Sequence, residues 1–500
     1  MRLLVDALYS PALERPTWVT QRGRRAASGT GVLLLVLTLT TLPATAQLTS
    51  VDDYLTREMA ARRIPGLALA VIQRGEVVKV QGYGIANLEW DVPVTPDTVF
   101  ELASVTKQFT ATAIMRLVEE EKIRLDEPIS HYLADTPPTW SEITVRHLLT
   151  HTAGLAPLET GFHALWATGA RLNYTTAEMF AAAKADPLSF APGARWQYSD
   201  VGYFLLGMIL ERASGQPYRT FMTERFFRPL GMASTSILDQ SAIVKRRAAG
   251  YTLREGRWVQ IRRVVQTELP SHYGIFSTVT DLTRWDNALA KGTVLTPASL
   301  AQMWTPATLT DGSTVPYGFA WGITEDRGHR VISHTGITGT EYTRYPTDQL
   351  TVIVLTNLGK HVGDTKVNPW GLTRGVAGRF LPGLLLSSLT PQPESDPALR
   401  QTLRDALADL AHGTDTSRIT PGLRAAMPAE SRRILAARLA ALTEFSFLTC
   451  DDVRGQPVTR LGVPVTRLCY YKMATGPETR YYTFWLTPDD RMADFRSTTE

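Results

Sequence analysis

Cysteine is nearly missing from this chain: Cys450 and Cys469 are the only two in 500 residues. One late pair cannot staple a chain of this length. Stability must therefore rest on a hydrophobic core, for which 44% apolar residues is ample. Histidine is also sparse, with nine dispersed residues. Neither a His-Glu-x-x-His run nor a paired Cys-x-x-Cys motif occurs, so nothing points to a metal site, and no organic cofactor is expected. Charge of one sign is scarce too. The formal net charge is +4, and no Lys/Arg block interleaved with aromatics marks a nucleic-acid groove, so no nucleic acid is expected as a partner. Long apolar runs are missing as well. The stretch Val32 to Leu37 falls well short of the roughly 20 residues that a spanning helix needs, so no stable membrane anchor is expected.

What is present at the start reads as an export signal over residues 1–46. Arg22, Arg24 and Arg25 precede the apolar stretch, and the small-x-small end Ala44-Thr45-Ala46 before Gln47 has the form of a signal-peptidase site. Export predicts a periplasmic or extracellular protein. It would place both cysteines in an oxidising compartment, where either a disulfide or two separate buried thiols fits.

The remaining chain divides by composition. Residues 47–388 read as one mixed α/β domain. A helix over Val51 to Arg63 leads into a hairpin, Leu67 to Ile72 and Val77 to Tyr83. Phe109, Ala113, Ile114, Leu117 and Val118 then predict an amphipathic helix that continues from Ser104. The middle is mostly helical, with expected helices at Gly202 to Arg212 and Tyr218 to Phe227. Strands return at Gly318 to Ile323, Arg330 to Ser333, Glu341 to Tyr345 and Leu350 to Leu355, which implies a sheet built from sequence ends that meet in space. The Pro-rich stretch 389–396 reads as a linker. Residues 397–500 read as a small α+β domain, with helices over Leu399 to Leu410 and Ser431 to Leu442 and strands at Phe445 to Thr449, Arg467 to Met473 and Arg480 to Leu486.

Chemistry concentrates at Ser104-Val105-Thr106-Lys107. One helical turn brings i and i+3 onto a common face, so the amine of Lys107 can reach the hydroxyl of Ser104. A serine is a weak nucleophile until a neighbouring base activates it for acyl transfer. A helix start adds unpaired backbone N–H groups that favour a developing oxyanion. On its own the four-residue pattern arises readily by chance. Two further patterns accompany it. Tyr198, in Trp196-Gln197-Tyr198-Ser199-Asp200, can act as a base only if a cation such as Lys107 stabilises its phenolate; otherwise it is an interfacial aromatic. His334-Thr335-Gly336-Ile337 can line a cleft at a strand edge, or simply end a strand.

In this order the three patterns resemble the active-site motifs of penicillin-recognising serine hydrolases. The resemblance is to the serine β-lactamase-related family of class C β-lactamases, DD-carboxypeptidases, D-aminopeptidases and β-lactamase-fold esterases. It extends over about residues 50 to 360 through Tyr83-Gly84-Ile85-Ala86-Asn87, His147-Leu148-Leu149-Thr150-His151-Thr152-Ala153-Gly154-Leu155 and Phe227-Arg228-Pro229-Leu230-Gly231-Met232. It implies a β-lactamase/DD-peptidase-like fold of the α/β (α+β) class: an antiparallel sheet flanked by helices, with a mostly helical subdomain. It further implies Ser104 as acylated nucleophile and Lys107 with Tyr198 as its proton relay. Asp200, His334, Thr335 and Gly336 would meet substrate, and the backbone N–H groups of Ser104 and Ile337 would form the oxyanion hole. Two residues depart from the family pattern. Asp200 stands where asparagine is commonest, and His334 replaces lysine, which reduces fixed positive charge for a substrate carboxylate.

These readings predict an exported serine hydrolase acting on a small ester, peptide or amide. The alternatives are a true β-lactamase, and a penicillin-recognising sensor that is acylated without turnover. By analogy with the family, His147 and His151 are read as shaping a turn behind the site. The aromatics Tyr470, Tyr471, Tyr481, Tyr482 and Trp485 are read as core and interface of the last domain.

Overall fold

The computed structural model describes residues 44–157, 173–239, 241–261, 266–359, 371–393, 396–454, 459–476, 478–498 and 500. The expected leader lies outside them, apart from 44–46. The described residues form two compact units: one is Val51–Leu381, and the other takes Pro382–Glu500 with residues 44–50.

In the larger unit, the hairpin Gly66–Gln73 and Glu76–Asn87 follows the helix Ala44–Arg62. Its first strand is buried on both faces, as its run of Leu, Ala, Val and Ile requires. That strand pairs antiparallel with Leu350–Thr356, from Leu67 opposite Thr356 to Gln73 opposite Leu350. The sequence ends of the domain therefore meet inside one sheet. Its seven strands run in the order Gly322–Asp326, His329–Gly336, Thr340–Tyr345, Leu350–Thr356, Gly66–Gln73, Glu76–Asn87 and Val92–Pro93, every neighbour antiparallel. Helices pack beside this sheet, so the α/β architecture with an antiparallel sheet holds.

The helix Thr106–Glu119 departs from its expected amphipathic form. Every residue from Thr106 to Met115 is buried. Its polar side chains find partners inside instead of facing water: Thr110 Oγ1 donates to Ser271 O at 2.6 Å, and the Trp285 indole N–H donates to Gln108 Oε1 at 3.0 Å. Phe109 stacks on Trp285 with ring centroids 4.3 Å apart. A helix buried all round needs such internal bonds, because each unmade buried one costs about 1–3 kcal/mol. The helix expected over Tyr218 to Phe227 is α-helical only to Met222 and widens to a π-turn over Thr223–Phe227.

The smaller unit carries a four-stranded antiparallel sheet, Glu444–Asp452, Arg467–Thr475, Glu478–Leu486 and Met492–Thr498. The last strand and the short helix Pro421–Ala426 add to the expected elements. Leu403, Leu407 and Leu410 of the helix Pro397–His412 join Tyr471, Tyr482 and Phe484 in one core. Cys450 and Cys469 face each other in register and form a disulfide. Leu386 and Leu389 pack against Leu448 and Tyr470 in the same unit.

One close approach sets the geometry of the larger unit. Where the strand His329–Gly336 ends, Thr338 Oγ1 donates to Glu101 O at 2.7 Å and Thr340 Oγ1 donates to Leu102 O at 2.9 Å. A Cβ on Gly336 would sit 2.3 Å from Leu102 O and 2.2 Å from Thr340 Oγ1, so only glycine lets the strand end reach this segment. Gly336→Ala is accordingly expected to destabilise the protein by about 1–3 kcal/mol, read as a fall in melting temperature, and to lower activity with it. An unchanged melting curve and rate would show that the contact is dispensable.

Candidate active site

Ser104 lies in a 3₁₀ turn, Ala103–Val105, that runs directly into the helix Thr106–Glu119. Ala103 before it has φ of +48°, a left-handed conformation that non-glycine residues adopt rarely and that clusters at functional sites. The turn of helix brings Lys107 back onto Ser104: Nζ donates to Ser104 Oγ at 3.1 Å. Nζ also donates to His272 O at 2.8 Å and lies 2.7 Å from Asp200 Oδ1. The last contact falls short of hydrogen-bond angles and is chiefly ionic.

Lys107 is completely buried, with 0% of its side chain exposed. Its ammonium donates two hydrogen bonds and faces one counter-charge. Burial pulls its pKa down, and Asp200 opposes that pull. Burial likewise pushes the Asp200 carboxyl up, but the adjacent Lys107 ammonium holds it below the usual range. The 2.7 Å contact makes the two a buried ion pair. Removing either partner from a buried ion pair typically costs about 3–5 kcal/mol, because the other is left uncompensated.

Tyr198 and Asp200 arrive together, at the start of the helix Asp200–Ser214, with Ser199 as its N-cap residue. The Lys107 ammonium lies 5.0 Å from the centre of the Tyr198 ring. His334 comes from the strand His329–Gly336, its ring 6.2 Å from that of Tyr198. Its Nδ1 lies 2.8 Å from Thr335 O and its Nε2 3.1 Å from Tyr317 Oη. The first contact requires a proton on Nδ1, so Nε2 accepts from the tyrosine, and this bonding assigns the tautomer. Thr335 and Gly336 complete the strand. Ile337 follows in the turn with 40% of its surface exposed.

The structure thus brings Ser104, Lys107, Tyr198, Asp200 and His334 to one place, with Thr335, Gly336 and Ile337 leading away from it. Neither His272 nor Tyr317 is signalled by the sequence pattern. The first contributes a backbone carbonyl, which any residue carries. The second lies in a loop with no chemical motif of its own. His151, read from sequence as a turn residue, lies beside the site with its ring 4.2 Å from that of Tyr198. His147 does shape the turn: its Nδ1 accepts from Thr144 N, and its own backbone N–H donates to Thr144 Oγ1. Among the described residues no His/Cys/Asp/Glu cluster fit for a metal ion occurs, and no helix is long and apolar enough to cross a membrane.

A serine paired with a buried lysine at a helix start, set against an antiparallel sheet, defines a serine hydrolase of mixed α/β build. The chain belongs to the Beta-lactamase family, whose model matches residues 51–373. It is similar to a penicillin-binding protein of Bacillus subtilis (strain 168), 31% identical over 317 residues, which cover 58% of this chain and 68% of that one. It is also similar to Esterase EstB of Burkholderia gladioli, 34% identical over 246 residues, covering 46% of this chain and 60% of the esterase. Among solved structures, the D-amino acid amidase of Ochrobactrum anthropi SV3, complexed with L-phenylalanine amide, superposes with a TM-score of 0.55 at 26% identity. That match covers 67% of this chain and 96% of the amidase.

Three neutral histidines surround the ion pair. Burial, reinforced by the charge of Lys107, lowers His334 to about 3. Burial also lowers His272 to about 4, where Asp200 opposes and Lys107 adds to the fall, and takes His151 well below the ordinary value. Between those folded-state values and the unfolded value near 6.5, the unfolded chain binds more protons. Stability therefore rises with pH across this window and is lost as pH falls. Each such histidine contributes a slope of up to about 1.4 kcal/mol per pH unit. The melting temperature is expected to drop by several degrees between pH 7 and pH 5, and His334→Gln should flatten that slope. A melting temperature constant over this range would contradict the neutral state of these groups.

Proposed function

We propose that this protein is an exported serine hydrolase that cleaves an uncharged ester or amide through an acyl-enzyme on Ser104. The observation that carries the reading is the 3.1 Å contact from Lys107 Nζ to Ser104 Oγ, within a site where the same ammonium also donates to His272 O and pairs with the Asp200 carboxylate. An ammonium that already donates to Ser104 cannot also take its proton. Tyr198 is the group left to take it, and the adjacent ammonium supplies the positive charge that a phenolate base needs. Asp200 offsets part of that charge while keeping Lys107 protonated.

Ser104 Oγ attacks the substrate carbonyl as its proton passes to the Tyr198 oxygen. The oxyanion forms against the backbone N–H groups of Ser104 and Ile337. Tyr198 then protonates the leaving alcohol or amine, and the ester to Ser104 remains. Water repeats the sequence: its proton passes to Tyr198, its oxygen bonds to the acyl carbon, and Tyr198 returns the proton to Ser104 Oγ as the acid is released. Donors of the oxyanion-hole kind are typically worth about 10²–10³ in rate.

His334 supports the uncharged substrate. It is 1% exposed, neutral, and occupied at both ring nitrogens, so it offers no cation and no free N–H to a substrate carboxylate. Asp200 adds a negative charge instead. The leader and the Cys450–Cys469 disulfide support export to a periplasmic or extracellular, oxidising compartment. The hydrolase activity is assigned to residues 47–388, joined by a linker over 389–396 to the C-terminal domain.

Ser104→Ala is expected to abolish hydrolysis of p-nitrophenyl butyrate and labelling by a fluorophosphonate. The wild-type protein should return to its free mass after turnover. Labelling that persists at another residue would remove Ser104 as nucleophile, and a long-lived ester adduct would favour an acylated sensor. Against a substrate panel, kcat/KM for neutral p-nitrophenyl esters should exceed that for a chromogenic cephalosporin or a D-Ala-D-Ala peptide by about 100-fold or more, and His334→Lys should narrow the gap. Equal rates on carboxylate-bearing substrates would refute the discrimination.

A further inference from the structure

His151 belongs to a segment that sequence reads as structural, yet it contacts three consecutive residues of the site. Its carbonyl oxygen accepts from Gln197 N at 2.9 Å. Its Nδ1 accepts from Ser199 N at 3.2 Å. Between those two bonds, its ring lies on Tyr198 with centroids 4.2 Å apart and planes tilted by 39°. Ser199 is the N-cap of the helix Asp200–Ser214 and makes no side-chain cap bond; its hydroxyl donates to Ala156 O instead. The imidazole therefore fixes the backbone N–H that lies between Tyr198 and Asp200.

The bonding of the ring makes a purely space-filling role costly. Because Nδ1 accepts, the proton resides on Nε2, and that N–H is buried with no hydrogen-bond acceptor among the described residues. Its surroundings are aromatic: the ring centres of Tyr317 and Tyr203 lie 4.9 Å and 5.1 Å away. An apolar ring would fill the same space without the stranded Nε2–H, but would leave Ser199 N without its acceptor. The backbone is also unusual, with φ of +60° at His151, a left-handed conformation that Asn, Asp and His enter more readily than other side chains. The ring contact and the Nδ1 acceptor together point to a role in placing what the imidazole touches. The burial that keeps this imidazole neutral also preserves the Nδ1 lone pair that Ser199 requires.

We infer that His151 is a positioning residue for the reaction: it holds Tyr198, through its ring, and the Tyr198–Asp200 backbone, through Nδ1, in register with Lys107 and Ser104. This rests on the reading of Tyr198 as the proton-transfer group. His151 touches no reacting atom and acts only through its neighbours. Its loss should therefore slow the chemical step and leave substrate affinity nearly intact.

Two variants of the full chain separate its contributions. His151→Asn tolerates the left-handed backbone and offers a short acceptor but no ring. His151→Phe keeps the ring and lacks the acceptor. With p-nitrophenyl butyrate, and with folded sites counted by fluorophosphonate labelling of Ser104, each should lower kcat about 10- to 100-fold, as small misplacements of reacting groups do. KM should stay within about threefold of wild type, a split that general loosening of the fold would not produce. Combined with Tyr198→Phe, each should add less than about threefold to the loss from Tyr198→Phe alone, because coupled residues are not additive. The inference is overturned if both single variants keep kcat within threefold while Tyr198→Phe is inactive, or if the losses multiply in the double variants. If Tyr198→Phe itself keeps full activity, the reading of Tyr198 falls, and this inference falls with it.

Discussion

One buried ammonium organises the larger unit of this protein. Lys107 is fully enclosed, and an enclosed cation is tolerated only where its charge and its donors are matched. Its acceptors come from three stretches of chain: Ser104 one turn earlier, the carbonyl of His272, and the carboxylate of Asp200. Each stretch must close onto the helix Thr106–Glu119 for the core to be stable. The segment around His272 does so with further bonds. Thr110 Oγ1 donates to Ser271 O, Ile275 N donates to Thr106 Oγ1, and Leu102 N donates to Ile275 O. The requirement to satisfy one charge thus assembles the same groups that an acyl transfer would use, and the site cannot be loosened without loosening the core.

How much of this was legible in the sequence depends on how local each contact is. The Ser104–Lys107 approach follows from helix periodicity, because i and i+3 must share a face. The central sheet was largely legible too: the buried run Leu67 to Ile72 and the late runs from Arg330, Glu341 and Leu350 form strands, whereas the run expected at Gly318 to Ile323 becomes strand only from Gly322 and continues to Asp326. Tyr198, Asp200 and His334 are far from Ser104 in sequence, and periodicity says nothing about their meeting. They were legible through the resemblance of their motifs to a family, and the structure then places them together. His272 left no trace because its contribution is a backbone oxygen, independent of side chain. The helix Thr106–Glu119 read as amphipathic from the spacing of Phe109, Ala113, Ile114, Leu117 and Val118; only the folded chain shows that Ser271 and Trp285 bond Thr110 and Gln108 inside the core.

The electrostatic character of the site follows from the same burial. One cation and one anion are held 2.7 Å apart, and three imidazoles around them are kept neutral by the same enclosure that raises the cost of any further charge. In a medium of low effective dielectric, a neutral imidazole serves as a directional hydrogen-bonding group whose tautomer is set by its neighbours. His334 is held with its proton on Nδ1 by Thr335 O, and Tyr317 occupies the other nitrogen. His151 is held in the opposite tautomer by Ser199 N. Two histidines of the same chemical type therefore present opposite faces to the site, one fixing a strand end and the other a helix start.

This arrangement explains how a chain can change two residues at the heart of a family motif without losing its core. A lysine in place of His334 would bring a second cation beside Lys107, and an asparagine in place of Asp200 would remove the counter-charge from the first. Asp200 and His334 are balanced changes: the carboxylate neutralises the one buried ammonium, and the neutral imidazole adds nothing that must be neutralised in turn. A substrate carboxylate entering such a site would bring an anion with no unmatched cation to receive it, whereas an uncharged acyl group develops negative charge only in the transition state. Stabilisation then acts at the step where it accelerates the reaction and not on the resting complex.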